Sequence, residues 1–282
     1  MAPRRTNVRT MMRSHQLSSW QTLAIFTLLT ILLSSTLSLL LCPFIQLPWW
    51  KIFRRCASIS AAISLLIITW GIEKRPVREF GLGSLREGRK QLWFGIRLGL
   101  ATLVVMVSLG LWVGAYRISV TASPWKFWGT LIGTMPAMVL VGILEELIFR
   151  GLILQRLMVY SKTFAVVASS VVYALVHLKT LAPTWGPLGP WFELIGLFLF
   201  GNILCVSYLL TQQLYLAIGL HATLAYGVRV NKLLIEFPRP SLNWLIGTNR
   251  LVNGVINWAA LLVMCGVMVL WIKSSRKHRR VG

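Results

Sequence analysis

Gly142-Ile143-Leu144-Glu145-Glu146-Leu147-Ile148-Phe149-Arg150-Gly151 sets three ionisable side chains into an apolar run that reaches back to Phe127. Charge at the centre of a membrane helix costs about 3 kcal/mol per residue on insertion scales and is usually functional where it occurs. Glu146 and Arg150 stand four residues apart on one helix face, the spacing at which opposite charges pair. Glu145 lies about 100° round the helix from Glu146 and is not the natural partner of Arg150. One carboxylate is thereby accounted for, and its neighbour faces something else. A carboxylate without a full counter-charge is suited to take up a proton as a general base. The alternative is that all three charges form one structural ion cluster or mark the end of the helix.

The composition around this stretch fixes the class. Of 282 residues, 56% are hydrophobic and only 13% charged, with 29 Lys and Arg against 7 acids. All the acids are Glu. A soluble fold this apolar lacks the polar residues to cover its surface. A nucleic-acid binder would not combine net charge +22 with 13 Trp and so few polar residues. What fits is an all-α polytopic membrane bundle, with basic residues held in the connections between apolar spans.

Spans need about 20 apolar residues each. They read as Gln21–Cys42, Ala57–Ile72, Leu92–Ala115, Phe127–Phe149, Thr163–Leu178, Glu193–Leu210, a short Leu214–Val228 after the polar notch Thr211-Gln212-Gln213, and Leu251–Ile272. This is about eight spans in a single membrane domain over 1–282, and the polar connections 73–91 and 229–250 are too short for an independent core. Arg4, Arg5, Arg9 and Arg13 precede a first apolar run too long for a signal peptide, so it reads as a retained anchor, although the acid-free start shares features with organelle transit peptides. The basic residues favour cytoplasmic N- and C-termini, with Arg229, Lys232, Arg239 and Arg250 working against that bias. The basic tails 1–19 and 273–282 are expected to meet anionic lipid rather than nucleic acid. Cys42, Cys56, Cys205 and Cys265 are scattered and read as small buried hydrophobes.

The remaining ionisable residues in or near spans are Arg97, Glu193, His177 and His221. The chain breaks at Tyr160-Ser161-Lys162, and Glu145 and His177 lie almost equally far on either side of it. If two antiparallel helices meet there, both residues sit roughly 20 Å from the turn, at one depth. His221 lies midway along the seventh span, which runs in the same direction as the fifth and can match that depth. Glu145, His177 and His221 can thus converge from three helices. A carboxylate with two imidazoles is the chemistry of a metal ligand set, zinc being one candidate among metals the sequence does not name. It is equally the chemistry of a base-activated water with an imidazole stabilising developing negative charge. Both readings imply hydrolysis.

These segments resemble the CPBP (Abi) family of CAAX prenyl proteases and bacteriocin-processing or immunity proteins. The family's E-E-x-x-x-R is present as Glu145-Glu146-x-x-x-Arg150, and its F-x-x-x-H as Tyr173-x-x-x-His177, with Tyr in place of Phe. Its H-x-x-x-N stands as His221-x-x-x-Ala225, with Ala in place of Asn. The resemblance covers 140–225. It implies a helical intramembrane endopeptidase, of metallo or glutamate type, acting on membrane-bound or lipid-modified proteins such as prenylated ones. Glu145 with His177 would activate water, His221 would stabilise the oxyanion, and Glu146 with Arg150 would form a supporting ion pair. If a metal is bound, Glu145, His177 and His221 would hold it. Ala225 removes a donor whose loss typically costs about 100- to 1000-fold in rate, so activity would be reduced unless Asn202 or a backbone amide substitutes. Two other functions stay open: a catalytically impaired scaffold or immunity-type protein of the same fold, and a transporter with a buried ion relay.

Overall fold

The computed structural model describes residues 17–120, 122–178, 189–248 and 251–281. The N-terminal arginines and Arg250 lie outside the described residues. The chain divides into two compact units, Met1–Val77 and Arg78–Gly282, a finer division than the single domain read from composition.

The first unit is a helical hairpin. α1, Ser19–Leu41, starts from a reciprocal cap in which Ser18 Oγ accepts from the Gln21 amide at 3.2 Å and Gln21 Oε1 accepts from the Ser18 amide at 2.9 Å. This satisfies two amides that the first helical turn leaves without a partner. α2, Trp49–Leu66, packs against it and ends in a wide π-helical segment, Ile67–Ile72. Thr22, Ser34, Ser38, Ser60, Ser64 and Thr69 are fully buried, as expected where small hydroxyl residues let two membrane helices approach. The hydroxyls of Thr30 and Ser34 bond back to carbonyls of their own helix, so little polar character reaches lipid.

The second unit holds the charged segment. Its long helices are α3 (Leu85–Trp112), α4 (Pro124–Glu146), α5 (Lys162–His177), α6 (Gly189–Thr211), α7 (Tyr215–Leu234) and α8 (Val255–Val281). With α1 and α2 they account for the eight expected spans. Five of the eight, α1, α2, α3, α6 and α8, are long and apolar enough to cross a membrane. Those that fall short are α4, α5 and α7, the helices carrying Glu145, His177 and His221. The fold is an all-α polytopic membrane bundle.

α7 lies at its centre. Every residue from Tyr215 to Leu224 is buried, and α7 packs against α3, α4 and α6. Glycine makes these approaches close. A Cβ on Gly95 of α3 would fall 2.6 Å from the Leu216 carbonyl oxygen, and one on Gly219 of α7 would fall 2.5 Å from that of Leu92. Gly142 meets Ala222 between α4 and α7, and Gly201 meets Ser170 between α6 and α5. Backbone-to-backbone contact of this kind is how small residues bind membrane helices together.

Several expected boundaries change. α7 continues past Val228 to Leu234, because its last turns leave the apolar core and no longer need apolar residues. His221 is therefore near the start of a 20-residue helix, not midway along a short one. α8 likewise runs on through Lys273 and Arg276 to Val281, so the C-terminal basic segment is helical. The Arg276 guanidinium donates to the Leu210 carbonyl near the end of α6, where a cation suits the helix's C-terminal carbonyls. Arg97 is exposed on α3 rather than placed among the site residues. A two-residue antiparallel pair, Arg117–Ile118 with Ile235–Glu236, ties the α3–α4 connection to the end of α7. Beside it Ala115, Tyr116, Ile235 and Ile246 form a small apolar cluster, so this region has more of a core than its length suggested.

Candidate active site

Four helices assemble the site. After Glu146 the α4 backbone widens into a π-helical segment, Leu147–Leu154, before closing with Gln155–Leu157. Such widened turns are rare and recur at functional sites. Gly151 on this segment packs on Phe80, where an added Cβ would come within 3.0 Å of the Phe80 Cβ. α5 begins again at a cap, Ser161 Oγ accepting from the Phe164 amide at 3.4 Å, and runs antiparallel to α4 until His177, its last residue.

The side chains form one connected network. Glu145 Oε2 and His177 Nε2 are 2.8 Å apart, so the two residues expected to share a depth are in direct contact. His221 Nε2 approaches the same oxygen at 3.4 Å. Glu146 Oε1 accepts from Arg150 Nη1 at 2.9 Å, the pairing read from their spacing. The same oxygen is 2.8 Å from His221 Nδ1, a contact the sequence reading missed. Glu145 was expected to lack a full counter-charge and instead lies against two imidazoles. His221 bridges the two carboxylates.

Hydrogen-bond partners decide the imidazole orientations. His177 Nδ1 is 2.8 Å from the Tyr173 carbonyl, which can only accept, so Nδ1 carries a proton. His221 Nδ1 faces the Glu146 carboxylate and donates likewise. Both rings consequently turn Nε2 toward Glu145. An Nδ1–H fixed by a carbonyl or carboxylate is the usual means of holding a functional imidazole in one tautomer.

Burial divides the network. The Glu146 and Arg150 side chains are 0% exposed and His221 is 5% exposed, whereas Glu145 is 19% and His177 23% exposed. The ion pair is sealed and the Glu145–His177 pair is open. Arg150 is further held by Nη2 donating to the Gly201 carbonyl at 3.0 Å. Aromatic rings wall the site. Tyr173 stacks on His177 at 4.1 Å between ring centres and meets Phe149 edge-on at 5.1 Å. Phe200 stands edge-on to His221 at 5.8 Å. No spacing in the sequence announced Gly201 or Phe200. Tyr173 was visible only as the aromatic preceding His177. Asn202, considered as a substitute donor, spends its amide on the Phe198 carbonyl of its own helix at 2.8 Å.

A metal does not fit these positions. Zinc ligands lie about 2.0–2.2 Å from the ion, which puts them roughly 3.3 Å from each other in a tetrahedral set. Glu145 Oε2 and His177 Nε2 are already in hydrogen-bond contact. Among the described residues no three His, Cys, Asp or Glu side chains are disposed to hold a metal ion.

No curated protein matches the chain. Residues 125–226, which include Glu145, Glu146, Arg150, Tyr173, His177, Gly201 and His221, match the family model described as type II CAAX prenyl endopeptidase Rce1-like. The segment 140–225 singled out by its motifs falls within that match, which is consistent with the CPBP resemblance.

Proposed function

We propose that the protein is an intramembrane endopeptidase that hydrolyses peptide bonds of prenylated or other membrane-associated proteins. The observation that carries this reading is the half-open Glu145–His177 pair, 2.8 Å apart, set against a sealed ion pair in a membrane bundle. Glu145 takes a proton from water as the water oxygen bonds to the scissile carbonyl carbon. His177, fixed through Tyr173, orients the carboxylate. His221 faces the negative charge that develops on the carbonyl oxygen. Collapse breaks the C–N bond, and the proton held by Glu145 passes to the leaving amine. Glu146 and Arg150 act through His221 and are positioning residues. No step is routed through a metal.

General acid–base groups of this kind typically contribute about 100- to 10,000-fold. The test is cleavage by the purified full-length chain of farnesylated and geranylgeranylated C-a-a-X peptides and of unmodified transmembrane peptides. Glu145→Gln and His177→Ala are expected to lose activity by that factor while remaining folded. Unchanged cleavage in both variants would remove the site assignment.

A scaffold without turnover is the second reading, favoured by the methyl group of Ala225 where a hydrogen-bond donor would serve catalysis. It predicts that no peptide of the panel is cleaved. The exposed Lys273 on α8 is a contact for anionic lipid headgroups, and the basic excess favours cytoplasmic termini.

A further inference from the structure

Hydrolysis through a tetrahedral intermediate needs donors aimed at the oxyanion. His221 offers at most Nε2, because its Nδ1–H is spent on Glu146. One turn further along α7, Ala225 offers none, and the Asn202 amide is committed to the Phe198 carbonyl. Both Arg150 terminal nitrogens are spent, on Glu146 and on Gly201. Of the rings around the two imidazoles, those of Phe149 and Phe200 carry no polar atom. Tyr173 does.

Tyr173 holds a central position. Its ring is stacked on His177 at 4.1 Å, stands edge-on to His221 at 6.0 Å, and has the Arg150 guanidinium 4.7 Å from its centre. It is 2% exposed. Among the described residues its hydroxyl makes no hydrogen bond, and the charges it interacts with are those of Glu145, Arg150 and Glu146. A tyrosine buried this deeply normally gives its O–H a partner. An unpaired donor on a ring that packs against both imidazoles is available to an atom that arrives with the substrate.

We propose that the Tyr173 hydroxyl is a further catalytic residue, donating a hydrogen bond to the substrate oxyanion alongside His221 and supplying the donor that position 225 lacks. This rests on the endopeptidase reading. The Tyr exchange in Tyr173-x-x-x-His177 and the Ala exchange in His221-x-x-x-Ala225 then belong together, a donor lost on α7 and one gained on α5.

The experiment measures kcat and KM of the full-length chain on the farnesylated C-a-a-X and transmembrane peptides. The variants are Tyr173→Phe, Tyr173→Phe with Ala225→Asn, and Glu145→Gln. Tyr173→Phe keeps the ring and its packing, and is expected to lower kcat about 100- to 1000-fold with KM changed less than about threefold. Adding Ala225→Asn is expected to recover at least tenfold of that loss, which a merely structural tyrosine would not allow. Wild-type kcat in Tyr173→Phe, with Glu145→Gln inactive, overturns the role of Tyr173 and leaves the endopeptidase standing. Undiminished cleavage by Glu145→Gln, or none by the wild-type chain, overturns both.

Discussion

Removing Arg150 without its partner should cost far more than removing the pair. Arg150 and Glu146 are fully buried, with Nη1 to Oε1 at 2.9 Å and a second bond from Nη2 to the Gly201 carbonyl at 3.0 Å. Arg150→Met leaves the Glu146 carboxylate in the bundle core with His221 as its remaining donor. Breaking a buried pair from one side typically costs about 3–5 kcal/mol, and the lost bond to Gly201 adds about 1 kcal/mol. Glu146→Gln strands the guanidinium instead, though the amide oxygen still accepts from His221 Nδ1. In the double variant neither charge remains, and replacing both members of a buried pair is often close to neutral. The double variant is therefore expected to lose at least 1–3 kcal/mol less than the two single losses added together. Unfolding in mixed micelles, followed by the fluorescence of the 13 Trp, gives the three free energies of the cycle. Additivity within about 0.5 kcal/mol, the behaviour of independent sites, would show that the pair is not coupled and refute the sealed-core account.

Other outcomes follow from separate parts of the molecule. If water is activated by Glu145 without a metal, dialysis against a chelator should leave the cleavage rate within about twofold; loss of activity restored by zinc would reverse the mechanism. Gly219→Leu should destabilise the bundle by about 1–3 kcal/mol or more through overpacking, because even a Cβ there falls 2.5 Å from the Leu92 carbonyl. Gly266→Leu, where nothing lies within 4 Å, should be near neutral in the same unfolding assay. Tyr116, beyond the end of α3, is pushed up to about 12 by burial, partly offset by its hydrogen bond to Asn257. Its protonated form is favoured in the fold, so its contribution is complete below pH 10 and is lost as pH rises from about 10 to about 12. The slope is about 1.4 kcal/mol per pH unit. Tyr116→Phe should abolish that fall, as stability measured across the window will show.

Much of the architecture was legible because it depends on local quantities. Apolar length gives helices, and an i, i+4 spacing gives the Glu146–Arg150 pair. Counting rise per residue on both sides of Ser161 brings Glu145 to His177 without reference to any other helix. The reading failed where a residue's fate depends on its surroundings. The end of α7 was set too early because its polar final turns leave the core. The approach of His221 to Glu146 depends on the seating of α7 between α3 and α4. That seating rests on Gly95, Gly142 and Gly219, whose missing side chains have no periodic signature. The π-helical segment after Glu146 lay equally beyond reach, since its residues are ordinary helix formers.

Charge balance explains why two adjacent acids are tolerated in this bundle. Glu145 and Glu146 bring two negative charges, and Arg150 returns one positive charge. The remaining charge must be neutralised where water is scarce, because an uncompensated buried ion costs several kcal/mol. Glu145 lies against two imidazoles, His177 Nε2 at 2.8 Å and His221 Nε2 at 3.4 Å. His177 is held from both sides, its Nδ1 by the Tyr173 carbonyl and its Nε2 by Glu145. On the proposed reading, water loses a proton to Glu145, with the buried pair fixing the charge and the open pair moving it. The separation of sealed Glu146–Arg150 from open Glu145–His177 is then a consequence of placing hydrolysis inside a membrane. The charge that holds the site together has to be kept away from the charge that reacts.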